Sequence, residues 1–533
     1  MSVTRRSFLR TGTASLAGVS VAPGALAMSQ IPAEPELPAA GYFNYGVASG
    51  DPTTDSVLLW SHFSPVSPMD VDVIWQLATD DGFSDIVASG VVRTGAYRDY
   101  TVKVDVTGLS SGTSYFYRFL AMGETSPVGR TRTADAGSPD AARFAVVSCS
   151  SYPHGYFNVY RVLAERSDLN AVIHLGDYMY EYGQDEYGED SLRSERALAP
   201  AHETVSLSDY RRRHALYKLD PDLAAVHQQH PFICVWDDHE FTDNAWRDGA
   251  SNHDDTEGDW SARKAAAKQA YFEWMPVREN RSGSIYRRIQ YGDLLDLLML
   301  DTRVEGRDEQ PSGSGKQQVA MDENRSLLGF EQEAWLHDQL VSSSAQWKIL
   351  GQQVMMAQRY YLNLENLLGS GAAASFWLDS WDGYAATRNR LLEVVRSQNV
   401  KNMVVLTGDL HASFASDISD DPYSWGNYNR YTGEGSLAVE FVTPSVTSPG
   451  FPKVIANSAE NTIMAGSPHI KYAEVQTHGF ILLTVDRFKV QSDWYYVPTV
   501  TERSKAVECG ISYACEDGQG RLKRVYQPAW LSA

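Results

Sequence analysis

Five apolar runs in this chain each end in residues that a protein interior seldom tolerates. FAVVSCSS ends at Cys149, AVIHLGDYMY at Asp177 and Tyr180, FICVWDDHE at Asp237, Asp238 and His239, LLDLLMLDTR at Asp301, and NMVVLTGDLH at Asp409 and His411. From Arg143 onward, such runs alternate with long helical or irregular stretches, which predicts strands in an α/β layer architecture. In open α/β sheets the carboxyl ends of strands line the ligand crevice, so residues remote in sequence meet there. One Asp after a strand is usually a turn former or a helix cap. Four strand ends carrying metal-ligand chemistry need another explanation. Carboxylates crowded at the edge of a core repel and are poorly solvated, a cost that falls when a multivalent cation sits among them. The pattern therefore predicts a metal site.

Composition narrows the function classes. The chain has 533 residues, 43% hydrophobic and 11% aromatic, enough for a large core and roughly two to four domains. Its 46 Lys and Arg against 67 acidic residues leave a balance of -21, which argues against nucleic acid as a bulk partner. At the N-terminus, TRRSFLR is followed by a mildly apolar run ending in ALA at 25–27; residues 1–27 resemble a twin-arginine signal peptide. Cleavage after Ala27 removes Arg5, Arg6 and Arg10 and no acid, taking the balance from -21 to -24. The mature chain shows no stretch of about 18 uninterrupted apolar residues. It is expected to lack a transmembrane segment, to use the twin-arginine export machinery, and to be periplasmic or secreted. Cys509 and Cys515 can close a small disulfide loop if geometry allows. Cys234 reads as a small buried hydrophobe.

A Pro-rich linker spans 28–40, and residues 41–135 alternate short apolar runs with turn residues, predicting a small β-sandwich. TGLSSGTSYFYRF looks like the late hairpin of a fibronectin III or immunoglobulin-like domain. This region reads as an appended or packing domain without chemistry. Residues 140–533 form the expected catalytic domain.

GDYMY, WDDHE and GDLH, in that order after SCSS, resemble the calcineurin-like metallophosphatase motifs in the variant form of the PhoD-type alkaline phosphatases. The general motifs are D-x-H, G-D-x-x-D, G-N-H-E and G-H-x-H. Here Cys149 replaces the first, the second ends in Tyr180, Asp238 stands where Asn is usual, and Asp409 replaces the first His of the last. LDTR at 300–303 and HGF at 478–480 agree with the resemblance. It implies a metallophosphatase-type sandwich of two β-sheets flanked by helices, preceded by the small all-β domain, with iron beside calcium.

If Asp177 bridges two metals, Cys149, Tyr180 and His411 surround one while Asp238 and Asp409 offer oxygen to the other. Thiolate, phenolate and imidazole suit Fe(III), and the all-oxygen side suits Ca²⁺. Asn244 either adds an amide oxygen there or caps a turn. His239, which the resemblance places beside the leaving group, stabilises or protonates the departing alkoxide. Asp237 either orients that histidine or the metal shell, or caps the strand. Asp301 and Arg303 either support the site from behind or hold the sheet edge. Tyr178, Tyr182 and Tyr187 read as packing or loop residues, and His174 as a satisfied core histidine. His202, His214, His227, His230 and His253 lie outside the motifs, with surface or helix roles.

The expected activity is release of phosphate from small phosphomonoesters, and of phosphodiesters too, through a water activated by the metals. An alternative is a phospholipase D-type diesterase on phospholipid or teichoic-type diesters. From another class comes a non-catalytic glycan-binding surface protein, which predicts missing ligands. The segments 178–200 and 376–386 either wall the pocket or form loops.

Overall fold

The computed structural model describes residues 34–38, 41–188, 192, 194–279, 283–313, 315–359, 362–363, 373–374 and 377–529. The twin-arginine segment 1–27 and most of the linker lie outside the described residues.

Two large sheets organise the chain. The first has ten strands in the order Leu522–Val525, Glu508–Glu516, Lys489–Tyr496, Gly479–Asp486, Ala141–Val147, Ala171–His174, Pro231–Cys234, Val47–Gly50, Ser56–His62, Thr101–Thr107. The second has seven: Arg287–Tyr291, Leu295–Met299, Trp347–Gln352, Met403–Thr407, Ala438–Val442, Ser413–Ile418, Ile470–Glu474. The centre of each is parallel. Parallel strands covered on both faces read as unbroken apolar runs, which is why AVIH, PFIC and MVVLT are buried at every position. Side chains from both sheets, among them Val146, Ile173, Ile233, Leu297, Ile349 and Val404, fill one shared core.

Helices cross between the strands and start where the sequence caps them. Ser206 and Asp209 form a reciprocal capping box ahead of Leu207–Lys218, and Asp220 caps Pro221–Gln229, whose first residue is a proline that needs no N–H partner. No helix among the described residues is long and apolar enough to cross a membrane.

The all-β region before residue 135 is more tightly joined to the rest than an appended domain would be. Val71–Ala78, Ile86–Thr94, Glu124–Thr125, Ser114–Ala121 and Gly129–Arg132 make one sheet of a sandwich. The opposing sheet is not separate: Val47–Gly50 pairs in parallel with Pro231–Cys234, so its three strands extend the ten-stranded sheet. Val47, Leu59, Val73, Val106, Tyr117 and Phe119 close the sandwich core.

Buried polar contacts lock this junction. Asp51 accepts from the Arg278 backbone N–H at 2.7 Å and from Arg287 Nη2 at 2.5 Å. Arg287 also donates to the Cys234 carbonyl at 2.9 Å, tying the edge of the second sheet to the strand that leads into the site.

Geometry decides against the disulfide that the sequence leaves open. Cys509 and Cys515 are free and lie on the same strand, Glu508–Glu516. Six residues of extended chain separate them by roughly 20 Å, whereas a disulfide needs Cα atoms within about 7 Å. Cys234 is buried as expected, and so is His174, which bonds Tyr160 at 2.9 Å. His214, His227 and His230 are buried rather than on the surface, two on helices and one ending a helix.

Asp51→Ala leaves the half-buried Arg287 without its carboxylate. The expected loss is about 2 kcal/mol, read as an earlier urea unfolding midpoint.

Candidate metal centre

The C-terminal ends of strands from both sheets meet at one place, and the backbone turns sharply in several of the loops that follow them. Cys149, Asp177, Asn244, Asp409 and His411 all sit in the left-handed region, with φ of 61°, 54°, 54°, 61° and 53°. Side chains seldom adopt this conformation without a compensating contact. Gly176, at φ 100°, lets the chain pass so close that an added Cβ would lie 2.5 Å from Asp237 Cβ and from its backbone N.

Hydrogen bonds across the loops fix their spacing. Cys149 N–H donates to Gly176 O at 3.1 Å and Ser150 N–H to Asp177 O at 2.8 Å. Gln353 joins the two sheets: its Nε2 donates to Trp236 O at 2.7 Å and Leu300 O at 2.9 Å, and its Oε1 accepts from Thr302. Glu240, the last residue of WDDHE, accepts backbone N–H groups from Asp177 at 3.0 Å, Tyr178 at 2.6 Å and Asp237 at 2.7 Å. Burial, and then the nearby Asp177 charge, push its carboxyl up to about 8. Arg213, fully buried, donates to the carbonyls of Tyr180, Tyr182 and Pro200 and so fixes the loop after Asp177.

Inside this frame the candidate ligands converge. Ligand atoms of Cys149, Asp177 and His411 lie within 4.8 Å of one another. Tyr180 belongs with them, its hydroxyl 2.9 Å from Asp177 Oδ2 and 3.0 Å from His411 Nε2, with Ser448 donating to it at 2.7 Å. A second group joins Asp177, Asp238 and His239, and a third joins Asp237, Asp238 and Asp409, under the same limit. Asp177 is common to the first two groups and Asp238 to the last two. Asn244 holds Asp238 through its backbone N–H at 2.7 Å while its side-chain NH₂ donates to Asp243 at 3.0 Å.

The electrostatics identify what this arrangement lacks. Burial, then the Asp177 carboxylate, pushes the Cys149 thiol well up, and the same two causes push up the Tyr180 phenol. Burial also raises Asp237, against the Arg303 guanidinium, which lowers it. Asp237 Oδ2, Asp238 Oδ1 and His239 Nε2 are buried with no hydrogen-bond partner among the described residues. Orphaned oxygens in a buried acidic cluster are costly, and a cation would satisfy them. A thiol, a phenol and an imidazole on one side and carboxylates on the other fit two cations of unlike softness. A metal would also deprotonate the thiol that burial otherwise keeps neutral.

A family model for the PhoD-like phosphatase matches residues 144–494, and one for the PhoD-like phosphatase N-terminal domain matches residues 29–135. The chain belongs to the PhoD-like phosphatase family. It is therefore a phosphoric ester hydrolase, and the non-catalytic glycan-binding reading is set aside. Alkaline phosphatase D of Bacillus subtilis (strain 168) is 35% identical over 98% of this chain and 89% of its own length. The solved "Structure of PhoD" superposes with a TM-score of 0.81 at 34% identity, covering 93% of this chain and 94% of that one.

Glu181 escapes sequence reading at this PhoD-like site, while Asp237, Asp301 and Arg303 are residues for which the sequence leaves site support and a structural role both open. Asp237 lies within the acidic cluster as well as at a strand end. Arg303 is at the centre of the acids: its Nη2 is 2.7 Å from Asp409 Oδ1, and its Nε contacts Asp237. Asp301 shapes the turn that presents it, accepting the N–H of Arg303 at 2.7 Å and of Val304 at 3.1 Å. Glu181 accepts from His239 Nδ1 at 2.8 Å and is itself anchored by Thr242 at 3.1 Å and Asp243 N–H at 2.7 Å. The Tyr180 ring stacks on His239, with centroids 4.2 Å apart, and Tyr187 stacks on Tyr180 at 5.3 Å. The sequence signal for Glu181 is its adjacency to Tyr180, Glu240 closes the WDDHE motif itself, and Asp301 and Arg303 lie in LDTR.

In Glu240→Gln an amide NH₂ confronts a backbone N–H that now meets a carboxylate oxygen. Cation affinity should fall by about 10- to 100-fold, measured as metal content per chain after dialysis.

Proposed function

We propose that this phosphatase is an exported, two-cation phosphoester hydrolase acting on small phosphomonoesters and also on phosphodiesters. Cys149, Tyr180, His411 and Asp177 would hold Fe(III). Asp177, Asp238 and Asp409 would hold Ca²⁺, with Asn244 beside them as a further oxygen donor. The observation that carries this reading is that Asp177 groups with Cys149 and His411 on one side and with Asp238 on the other, and Asp238 in turn groups with Asp409. Bound there, the cations supply Lewis acidity toward a phosphoryl oxygen and acidify a water.

The chain's own residues do the rest. Asp177 keeps the two donor groups together, its backbone N–H held by Glu240. His239 is the catalytic acid of this reading. Glu181 takes its Nδ1, which fixes the ring and leaves Nε2 toward the reacting centre, where it gives its proton to the departing alkoxide. Burial lowers the proton affinity of His239, but the carboxylates of Glu181, Asp238 and Asp177 outweigh this and raise it well above an ordinary imidazole. Stacking of Tyr180 and Tyr187 beside His239 excludes water from that side. For export, the reading rests on the paired Arg5 and Arg6 ahead of an apolar run ending at Ala27.

Cys149→Ala should lose iron and its charge-transfer colour, and Asp177→Asn should lose both metals. His239→Ala should keep both and lower kcat by about 10²- to 10⁴-fold. Full iron in Cys149→Ala would rule out the ligand assignment. A chromogenic monoester, its bis-ester and a phosphatidylcholine emulsion, compared under added Ca²⁺, would rank the substrate classes; turnover of the emulsion alone would replace this reading with the phospholipase one.

Glu181→Gln removes a negative charge that favours imidazolium. The pKa of His239 must then fall, so the alkaline limb of the kcat profile should move to lower pH by about one unit. An unmoved limb would mean that Glu181 does not act through His239.

A further inference from the structure

Arg303 stands where an arginine is least expected, fully buried in the cluster that offers itself to a cation. Each edge of its guanidinium meets a carboxylate. Nε contacts Asp237, Nη2 is 2.7 Å from Asp409 Oδ1 and 3.6 Å from Asp238 Oδ2, and Nη1 is 3.1 and 2.9 Å from the two oxygens of Asp379. Asp237, Asp238 and Asp409 are the same three residues whose ligand atoms group within 4.8 Å. Arg303 therefore touches every member of this carboxylate group, two of which, Asp238 and Asp409, are ligands of the second cation in the two-cation reading.

We propose that Arg303 is a built-in counter-ion for the second cation, a positioning residue whose charge sets how tightly that cation is held. This rests on the two-cation reading. Without the cation, Arg303 neutralises Asp237, Asp238 and Asp409 and keeps them aimed at one point. When a cation takes Asp238 and Asp409, two like charges become near neighbours, and their repulsion weakens binding.

Asp379 makes this arrangement sustainable. It is the outermost carboxylate of the set, its side chain 18% exposed, and it also pairs with buried Arg307. With Asp237 it still balances Arg303 after the inner carboxylates are engaged, so the guanidinium need not leave the interior. A lysine keeps the charge but cannot face three directions with a planar fork.

The test uses iron-replete enzyme freed of Ca²⁺ with EGTA, with Ca²⁺ titrated by calorimetry and Tm followed in parallel. R303M should bind Ca²⁺ roughly tenfold tighter than wild type. Its Tm in EGTA should be lower, by on the order of 5 °C, and should rise further on adding Ca²⁺ than that of the wild type. R303K should keep the wild-type Ca²⁺ affinity within about twofold while turnover falls, because charge and geometry are then separated. Unchanged or weaker Ca²⁺ binding by R303M, or the same tightening in R303K, overturns the proposal. So does an R303M that stays unfolded at saturating Ca²⁺, since the cation should replace the missing charge. A wild type that shows no Ca²⁺ response at all sinks the two-cation reading instead.

Discussion

Negative charge gathered between two sheets is the constraint to which the rest of this structure answers. Asp177, Asp237, Asp238 and Asp409 are all buried, with a buried thiol beside them. Such a group persists in a folded protein only where positive charge compensates it. Arg303 supplies part of that compensation, and the orphaned oxygens of Asp237 and Asp238 mark where more is wanted. The left-handed turns after the strands have the same origin, since extended or helical exits would carry these side chains away from the shared point.

Around this charge lies a layer of residues that control orientation. Glu240 holds the backbone of two neighbouring loops and Gln353 ties one sheet to the other. Glu181 holds Nδ1 of His239, as carboxylates commonly do for buried histidines, and so fixes the orientation of the ring. Specificity of geometry here comes from buried hydrogen bonds to backbone groups, which leave little freedom once the core has packed.

Much of this could be read from the residues because it is local. A strand buried on both faces announces itself as an apolar run, and the polar residues just beyond it fall at the sheet edge whatever the tertiary details. That is how Cys149, Asp177, Tyr180, Asp238, Asp409 and His411 could be named together, and the structure brings their side chains close. What escaped depends on partners far away along the chain. Nothing in LDTR tells that its arginine will face Asp409, and an alternating pattern such as SYFYRFLA is the same whether its sandwich stands alone or shares a sheet. The cysteine pair misleads for the opposite reason: closeness in sequence suggests a loop, while a continuous strand holds the two thiols apart.

The shared sheet also bears on how the chain comes together as it is synthesised. Val47–Gly50 finds its parallel neighbour only in Pro231–Cys234, some of the longest-range pairing in the molecule. Until the ribosome has released that later strand, the early sandwich carries an open, hydrogen-bond-hungry flank, a surface prone to sticking to other nascent chains. That flank is sealed once Pro231–Cys234 has emerged, about midway through synthesis and well before the segment that carries Asp409 and His411, so the scaffold of one sheet edge precedes the completed site.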